Sequence, residues 1–306
     1  MKIIKILVGC VLSFGLSTAS AELIGISIQD ASSSFQLLLR DNLEQTIEFR
    51  GADSYSDVGS EEKLQIAQIQ SFVDAELDAI IVIPVSTDKA YIQKLIDIAS
   101  VKKTPLVFMN RQPNMDTFPP GVVFVGSRES QAGTLQMEEV ARQSNYKGRI
   151  ALLMGPSSHP AAIDRTKMVD DITARYPDMK ITLREYANWQ RNESLGIVTR
   201  WLKDHKDEFD IIVANNDEMA LGAVLAMEEA GVDPKPYIIA GIDATADALN
   251  AISTDKMDVS VLQDASGLAR KAVVTAFSLI RGQGSEPYVW VPFRLVNTEN
   301  LEQFLK

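Results

Sequence analysis

Cysteine and histidine are nearly absent. Cys10 is the single cysteine, and His159 and His205 are the only histidines in 306 residues. A disulfide framework and a zinc site built on Cys and His are both excluded, because each needs more ligands than the chain carries. Basic charge is scarce too. Thirty Lys and Arg stand against 41 Asp and Glu, a net charge of −11. An acidic surface repels phosphate backbones, so nucleic acid is not an expected partner. Beyond the N-terminus no apolar run approaches the roughly 20 residues that cross a bilayer. No G-x-S-x-G elbow and no phosphate-binding glycine loop is present. Gly282-Gln283-Gly284 reads as the turn that ends a helix. The acidic stretch Asp53–Glu62 lacks the spacing of a calcium loop and reads as a solvated connection. No motif requires a metal or a cofactor.

Enzymatic chemistry has little to draw on. His205 sits in Lys203-Asp204-His205-Lys206-Asp207, a charged helix end where it is solvated. His159 precedes Pro160 at a helix start and could approach a crevice. A lone histidine with no nucleophile motif does not make a catalytic site, and no enzyme activity is expected.

What is present is an ordinary globular composition, 46% apolar and 23% charged, in a length that suits two domains of roughly 150 residues. The N-terminus reads as a secretory leader over Met1–Ala21. Lys2 and Lys5 give a basic start, Ile6–Leu16 an apolar stretch, and Ala19-Ser20-Ala21 a small-x-small cleavage signal. The apolar stretch is too short for a membrane anchor. Leu7-Val8-Gly9-Cys10 offers an alternative, a lipoprotein cleavage box with Cys10 lipidated, but few apolar residues precede it. The expected product is a cysteine-free, acidic, exported protein that begins at Glu22.

The exported part alternates. Ile- and Val-rich runs fall at Leu23–Ile28, Ala79–Ile83, Leu106–Met109, Val122–Val125, Ile150–Met154, Ile181–Tyr186, Ile211–Ala214, Tyr237–Ala240 and Val259–Leu262. Unbroken apolar runs of this length suit strands buried on both faces of a parallel sheet. Amphipathic stretches lie between them. Phe35, Leu38, Leu39 and Leu43 line one face of the first, and Leu64, Ala67, Ile69 and Phe72 one face of the second. Met219, Ala223, Ala226 and Met227 do so in a later one. The expectation is an α/β fold of two Rossmann-like, doubly wound lobes, with the break near Gly126-Ser127.

In such sheets ligands bind beyond the carboxyl ends of the strands, and here those ends are polar. Gln29-Asp30-Ala31-Ser32-Ser33-Ser34-Phe35 follows the first strand, and Asn110-Arg111-Gln112 the Leu106–Met109 strand. Ser127-Arg128-Glu129, Trp189-Gln190-Arg191, Asn215-Asn216-Asp217-Glu218, Gly241-Ile242-Asp243 and Gln263-Asp264 follow later ones. Amides, guanidinium groups and carboxylates can bond adjacent hydroxyls in pairs, and rings such as Phe35 and Trp189 can cover a sugar's C–H faces. Each such residue taken alone reads first as a helix cap, Asp217 and Thr245 above all. Phe35 alone reads equally as core. The set, rather than any member, points to a polyhydroxylated ligand.

The stretch Asn216-Asp217-Glu218-Met219-Ala220-Leu221-Gly222-Ala223, after Ile211-Ile212-Val213-Ala214, resembles the signature of ribose-type periplasmic sugar-binding proteins. The resemblance extends over the whole exported part. It implies ligand contacts at Phe35, Asn110, Arg111, Arg165, Trp189, Asn216, Asp243 and Gln263, while Gln29, Ser33 and Glu129 are further candidates from the polar strand ends. Asn110, Trp189 and Gln112-Pro113 look closer to the inositol- and rhizopine-binding branch. Gln36, Ile83 and Glu129 depart from the ribose branch, which puts ribose itself in doubt. The segment from Leu43 to Asp53 looks shorter than in the family by about one helical turn, which implies an abbreviated first helix. The resemblance further implies the periplasmic binding protein fold with three hinge crossings, near Gly126–Arg128, Gln263-Asp264 and Val291-Pro292. One lobe would hold 22–127 and 264–291, and the other 128–263 and 292–306. The implied role is a monomeric periplasmic solute-binding protein of an ABC uptake system, with a monosaccharide or cyclitol as ligand and an inner-membrane permease as partner. Presentation of the ligand to a chemoreceptor or membrane histidine kinase is the alternative.

Overall fold

The computed structural model describes residues 21–29 and 34–305. Residues 1–20, which hold nearly all of the expected leader and Cys10, lie outside the described residues, as do the segment 30–33 with candidate Ser33, and Lys306.

The chain builds two six-stranded sheets, each clad by helices on both faces. It runs β1 (Leu23–Ile28), α1 (Ser34–Phe49), β2 (Asp53–Val58), α2 (Glu62–Asp74), β3 (Ala79–Val82), α3 (Lys89–Val101), β4 (Leu106–Met109) and β5 (Val122–Gly126). Next come α4 (Glu129–Gln143), β6 (Gly148–Met154), α5 (Pro160–Thr173), β7 (Met179–Tyr186), α6 (Arg191–Asp204), β8 (Ile211–Ala214), α7 (Asp217–Glu229), β9 (Ile238–Ala240), α8 (Ala246–Ser253) and β10 (Val259–Leu262). The chain ends with α9 (Ala265–Ile280), β11 (Tyr288–Trp290) and β12 (Arg294–Asn297). The first sheet has the order β11-β5-β4-β3-β1-β2 and is parallel throughout. The second has the order β12-β10-β9-β8-β6-β7, parallel except for β12, which runs antiparallel to β10. The backbone therefore passes between the sheets three times, after Gly126, after Leu262 and after Trp290.

The central strands are where the apolar runs placed them, because a run such as Ala79–Val82 can bury every side chain only inside a two-sided sheet. Ile24, Ile26 and Ile28 pack against α1 and α9, while Ile80 and Val82 face α2 and α3. Each fully buried side chain of this size contributes about 1.5–3 kcal/mol. In the second lobe α6, α7 and α8 cover one face, and α4 and α5 the other.

Three expectations are corrected. The acidic connection beginning at Asp53 is β2, an edge strand paired in register with β1 from Leu23–Asp53 to Ile28–Val58. It escapes an apolar-run reading because an edge strand that buries no residue fully can stay polar; Tyr55 anchors it edge-on to Phe72 at 5.7 Å. In α1, Leu38 faces solvent, and the inward positions are Phe35, Leu39, Leu43 and Ile47. In α2, Leu64 and Ala67 face solvent and the inward positions are Gln65, Ile69, Phe72 and Val73. Gln65 can be fully buried because all its polar atoms are engaged. It donates to Ser27 Oγ (2.9 Å) and to the carbonyl of Ile83 (3.1 Å), and accepts from the Val85 amide (2.9 Å) and from the Tyr91 hydroxyl.

Candidate functional site

The carboxyl ends of both sheets face one cavity of about 140 Å³. The first lobe contributes Gln29 after β1, Phe35 and Gln36 from the start of α1, and Asn110, Arg111 and Gln112 after β4. The second contributes Glu129 from α4, His159 and Arg165 from α5, Trp189 after β7, Asn216 after β8 and Asp243 after β9. Ser127 and Gln263 line it from two of the crossings. Every described residue named from the sequence as a ligand-contact candidate thus lines one cavity.

Arg165 is the hub of the second lobe. It is 4% exposed. Its Nε donates to Glu129 Oε2 (2.8 Å), Nη1 to the Asn215 carbonyl (2.7 Å) and Nη2 to Gln263 Oε1 (3.4 Å). Asp243 Oδ1 lies 3.9 Å from Nη1. Burial pushes the Glu129 carboxyl up and Arg165 opposes the rise. Asp243 is pushed well above the usual carboxylate range, first by burial, with repulsion from Asp217, Glu129 and Glu218 adding and Arg165 opposing. These carboxylates are therefore poised to be relieved by a donor, which a ligand hydroxyl is.

Arg111 is held differently. Its Nη1 donates to Gln29 Oε1 (2.9 Å) and to the carbonyl of Val85, all neutral acceptors. Its Nε is buried with no hydrogen-bond partner among the described residues. Burial lowers its pKa below the ordinary guanidinium value. A buried donor left without an acceptor is unfavourable until a ligand oxygen fills the position.

Backbone geometry aims these groups. Asn110 (φ 65°), Trp189 (φ 67°) and Asp243 (φ 127°) all adopt the left-handed region that L-residues rarely enter. Such strain persists where the surroundings over-determine it, and it clusters at binding sites. Gly155 leaves room for Trp189, since a Cβ there would lie 2.5 Å from the indole ring. Asn215, fully buried, accepts from the Gly155 amide and from Thr166 Oγ1, both at 3.0 Å, and so ties the β6 and β8 ends to α5.

Two cap assignments separate. Thr245 caps α8, accepting from the Ala248 amide. Asn216, not Asp217, caps α7 by accepting from the Met219 amide (3.1 Å). Asp217 is the first helical residue and is fully buried. It accepts from Ser260 Oγ (2.7 Å) and the Thr245 amide (2.8 Å), and burial pushes its pKa up to about 6 against those bonds. Gly241 is required beside it, where a Cβ would lie 2.3 Å from Asp217 Oδ1. The two residues are adjacent and chemically alike, so only the helix register decides which one caps.

A family model described as a periplasmic binding protein domain matches residues 24–284. The chain belongs to the periplasmic binding protein family. Within that family of solute-binding proteins, it is 38% identical to a protein of Rhizobium meliloti provisionally named for rhizopine binding, over 98% of each chain. It is 31% identical to the xylitol-binding protein of Mycolicibacterium smegmatis, over 75% of this chain and 64% of that one. An ABC transporter solute-binding protein of Bacillus halodurans C-125, solved with bound myo-inositol, matches with a TM-score of 0.84 and 34% identity. That match covers 94% of this chain and 98% of the other.

The sequence reading names His159, Gln36 and Asn215 but gives none of them a binding role. His159 was considered only as a base. Its place at the start of a helix after β6, the position held by the other candidates, was the available signal.

Proposed function

We propose that this periplasmic binding protein takes up a monosaccharide or cyclitol in the interlobe cleft, with a myo-inositol-like ring favoured. One observation carries the reading. Arg111 of one lobe and the Arg165–Glu129–Asp243 cluster of the other converge on a single cavity, with Phe35 and Trp189 supplied from opposite lobes. Arg111, Arg165, Asn216 and Asp243 bond ring hydroxyls, with Asn110 and Gln263 assisting, and Phe35 and Trp189 cover the ring faces. Gln29 and Glu129 act mainly by holding Arg111 and Arg165. Ser33 remains a candidate from its place in the polar stretch that follows Ile28 in the sequence.

Binding closes the lobes about the three crossings and buries the ligand. The closed monomer then delivers it to an inner-membrane ABC permease, after export and removal of residues 1–21. The relatives reported are named for solute binding or transport, which favours uptake over ligand presentation to a sensor. A polyol bound in this way leaves unchanged, since the role needs differential affinity and no chemistry.

Thermal denaturation against a panel of cyclitols, hexoses, pentoses and alditols tests the reading. A ligand at 100 times its Kd stabilises the folded state by about 2.7 kcal/mol. Myo-inositol or a close analogue is expected to give the largest shift. A flat response across the whole panel would overturn the proposal.

A further inference from the structure

Arg111 rests on a backbone strap that is held in turn by a residue outside the cavity. Its Nη1 donates to the carbonyl of Val85 and, at 3.5 Å, to that of Pro84, both in the loop between β3 and α3. One carboxamide clamps this strap, Ile83-Pro84-Val85. Gln65 Nε2 donates to the Ile83 carbonyl (3.1 Å), and Gln65 Oε1 accepts from the Val85 amide (2.9 Å). The carboxamide cannot be turned round, because a carbonyl needs a donor and an N–H needs an acceptor. Pro84, between the two clamped groups, has a fixed φ, which leaves the strap little freedom. Gln65 itself is fully buried and does not line the cavity.

The clamp is fixed from two sides. Gln65 Nε2 also donates to Ser27 Oγ on β1 (2.9 Å), and Ser27 Oγ donates to Gln68 Oε1 (2.8 Å). From α3, the Tyr91 hydroxyl donates to Gln65 Oε1, and burial pushes the phenol pKa well up, so the donor proton stays in place. Val85 is thus gripped at its N–H by Gln65 and grips Arg111 through its carbonyl. The guanidinium is rigid and planar, so anchoring Nη1 restricts the direction of Nε. Nε is the buried donor that has no hydrogen-bond partner among the described residues.

We infer that Gln65, seconded by Tyr91, is a positioning residue for ligand binding: its carboxamide holds the Ile83–Val85 strap so that Arg111 stands aimed before the ligand arrives. Gln65 touches no ligand. An arginine already held in place loses less side-chain freedom on binding, and that difference appears as affinity. The inference rests on the polyol reading of the cleft and adds to it a residue beyond the cleft walls that sets how tightly the ligand is held.

Gln65→Leu removes the clamp, and Tyr91→Phe removes only the hydroxyl that supports it. On protein shown to be folded by circular dichroism, calorimetry with myo-inositol is expected to give roughly tenfold weaker binding for the first and roughly two- to threefold for the second. Repeating Gln65→Leu in an Arg111→Lys protein tests whether the effect runs through Arg111, and the further loss there is expected to stay below about twofold. A role in stability alone would leave the affinities unchanged or multiply the two losses, and either result would overturn the inference. A second readout needs no ligand. With ¹⁵N-labelled arginine, the signal missing from Arg111→Lys identifies the Arg111 Nε–H. Gln65→Leu is expected to speed its exchange with solvent roughly tenfold relative to the backbone amides of β4. Equal acceleration of both, the mark of general loosening, would also overturn the inference. If Gln65→Leu does not fold, Tyr91→Phe carries both measurements. If no polyol binds the unaltered protein, the ligand reading falls, and the exchange ratio still decides whether Gln65 holds Arg111.

Discussion

The two lobes secure their strand ends by different chemistry. In the first lobe a neutral amide does it: Gln65 joins β1, the loop after β3 and α3 through Ser27, Ile83, Val85 and Tyr91. In the second lobe charges do much of it. Asp217 links α7 to Ser260 and Thr245, and Arg165 links α5 to Glu129, Asn215 and Gln263. Gln136 adds neutral bonds to the carbonyls of Ala214 (2.8 Å) and Gly241 (3.0 Å). The cleft inherits the difference. Its first wall presents one guanidinium on neutral acceptors, and its second a partly compensated ionic cluster. A neutral knot is indifferent to pH and cheap to bury, whereas buried ions demand partners and respond to protons.

The sharpest way to break this contrast is to remove one arginine from each wall. Arg165→Ala strands two buried carboxylates and is expected to destabilise the protein by about 3–5 kcal/mol. Arg111→Ala removes bonds to neutral acceptors only and is expected to cost about 1 kcal/mol while also abolishing ligand response. Urea unfolding with and without ligand checks both, and equal losses from the two variants would erase the distinction. Next in size is Gln65→Leu, which leaves the Val85 amide without its acceptor. Its expected cost is about 1–3 kcal/mol, the same at pH 5 as at pH 8.

The pH response sharpens the comparison further. The folded pKa of His159, about 3, lies below its unfolded value near 6.5. The stability this group contributes is therefore complete above pH 6.5 and is lost as pH falls toward 3. At pH 5 the loss is about 2 kcal/mol. His159→Gln should lose less stability than the unaltered protein between pH 8 and pH 5, by about that amount, in melts at the two pH values. Asp217 has the opposite sign. Its folded pKa of about 6 lies above the unfolded 3.8, so its contribution is present at low pH and lost as pH rises through 6. Asp217→Asn should remove that high-pH loss.

The smallest effect is expected where the lobes meet at the surface. Ser34 Oγ donates to Glu218 Oε1 (2.9 Å), and Glu218 pairs with Arg191 (2.8 Å), which also holds Asp247. Ser34 and Asp247 are exposed and Arg191 and Glu218 half-buried, so Ser34→Ala should change stability by no more than about 0.5 kcal/mol. A weaker apparent ligand affinity with unchanged melting would assign the contact to closure alone.

Much of this was legible in the chain. Eight of the nine strands marked in the sequence are apolar runs, because a strand buried on both faces admits little else; the ninth, β7, is an edge strand that alternates buried and exposed positions. The site residues were legible as a group, since polar side chains directly after such strands converge wherever the sheet is parallel. β2 was not legible, because an edge strand needs no apolar run and Asp53–Val58 has none. β11 and β12 are short and flank a crossing, where periodicity has no length to build. The inward turn of Gln65 was hidden because nothing local tells a buried amide from an exposed one. Its four partners come from three separate segments.

By itself the sequence determined the α/β alternation, the acidic and nearly cysteine- and histidine-free composition, and which residues follow each strand. These are local properties, set by burial patterns and residue chemistry along the chain. Only the tertiary structure decided that Asn216 rather than Asp217 caps α7, that Arg111 stays uncompensated while Arg165 is paired, and that His159 is a neutral wall of the cleft. Each of these depends on partners far apart in sequence, and a side chain's charge state and free hydrogen-bonding atoms are set by what surrounds it.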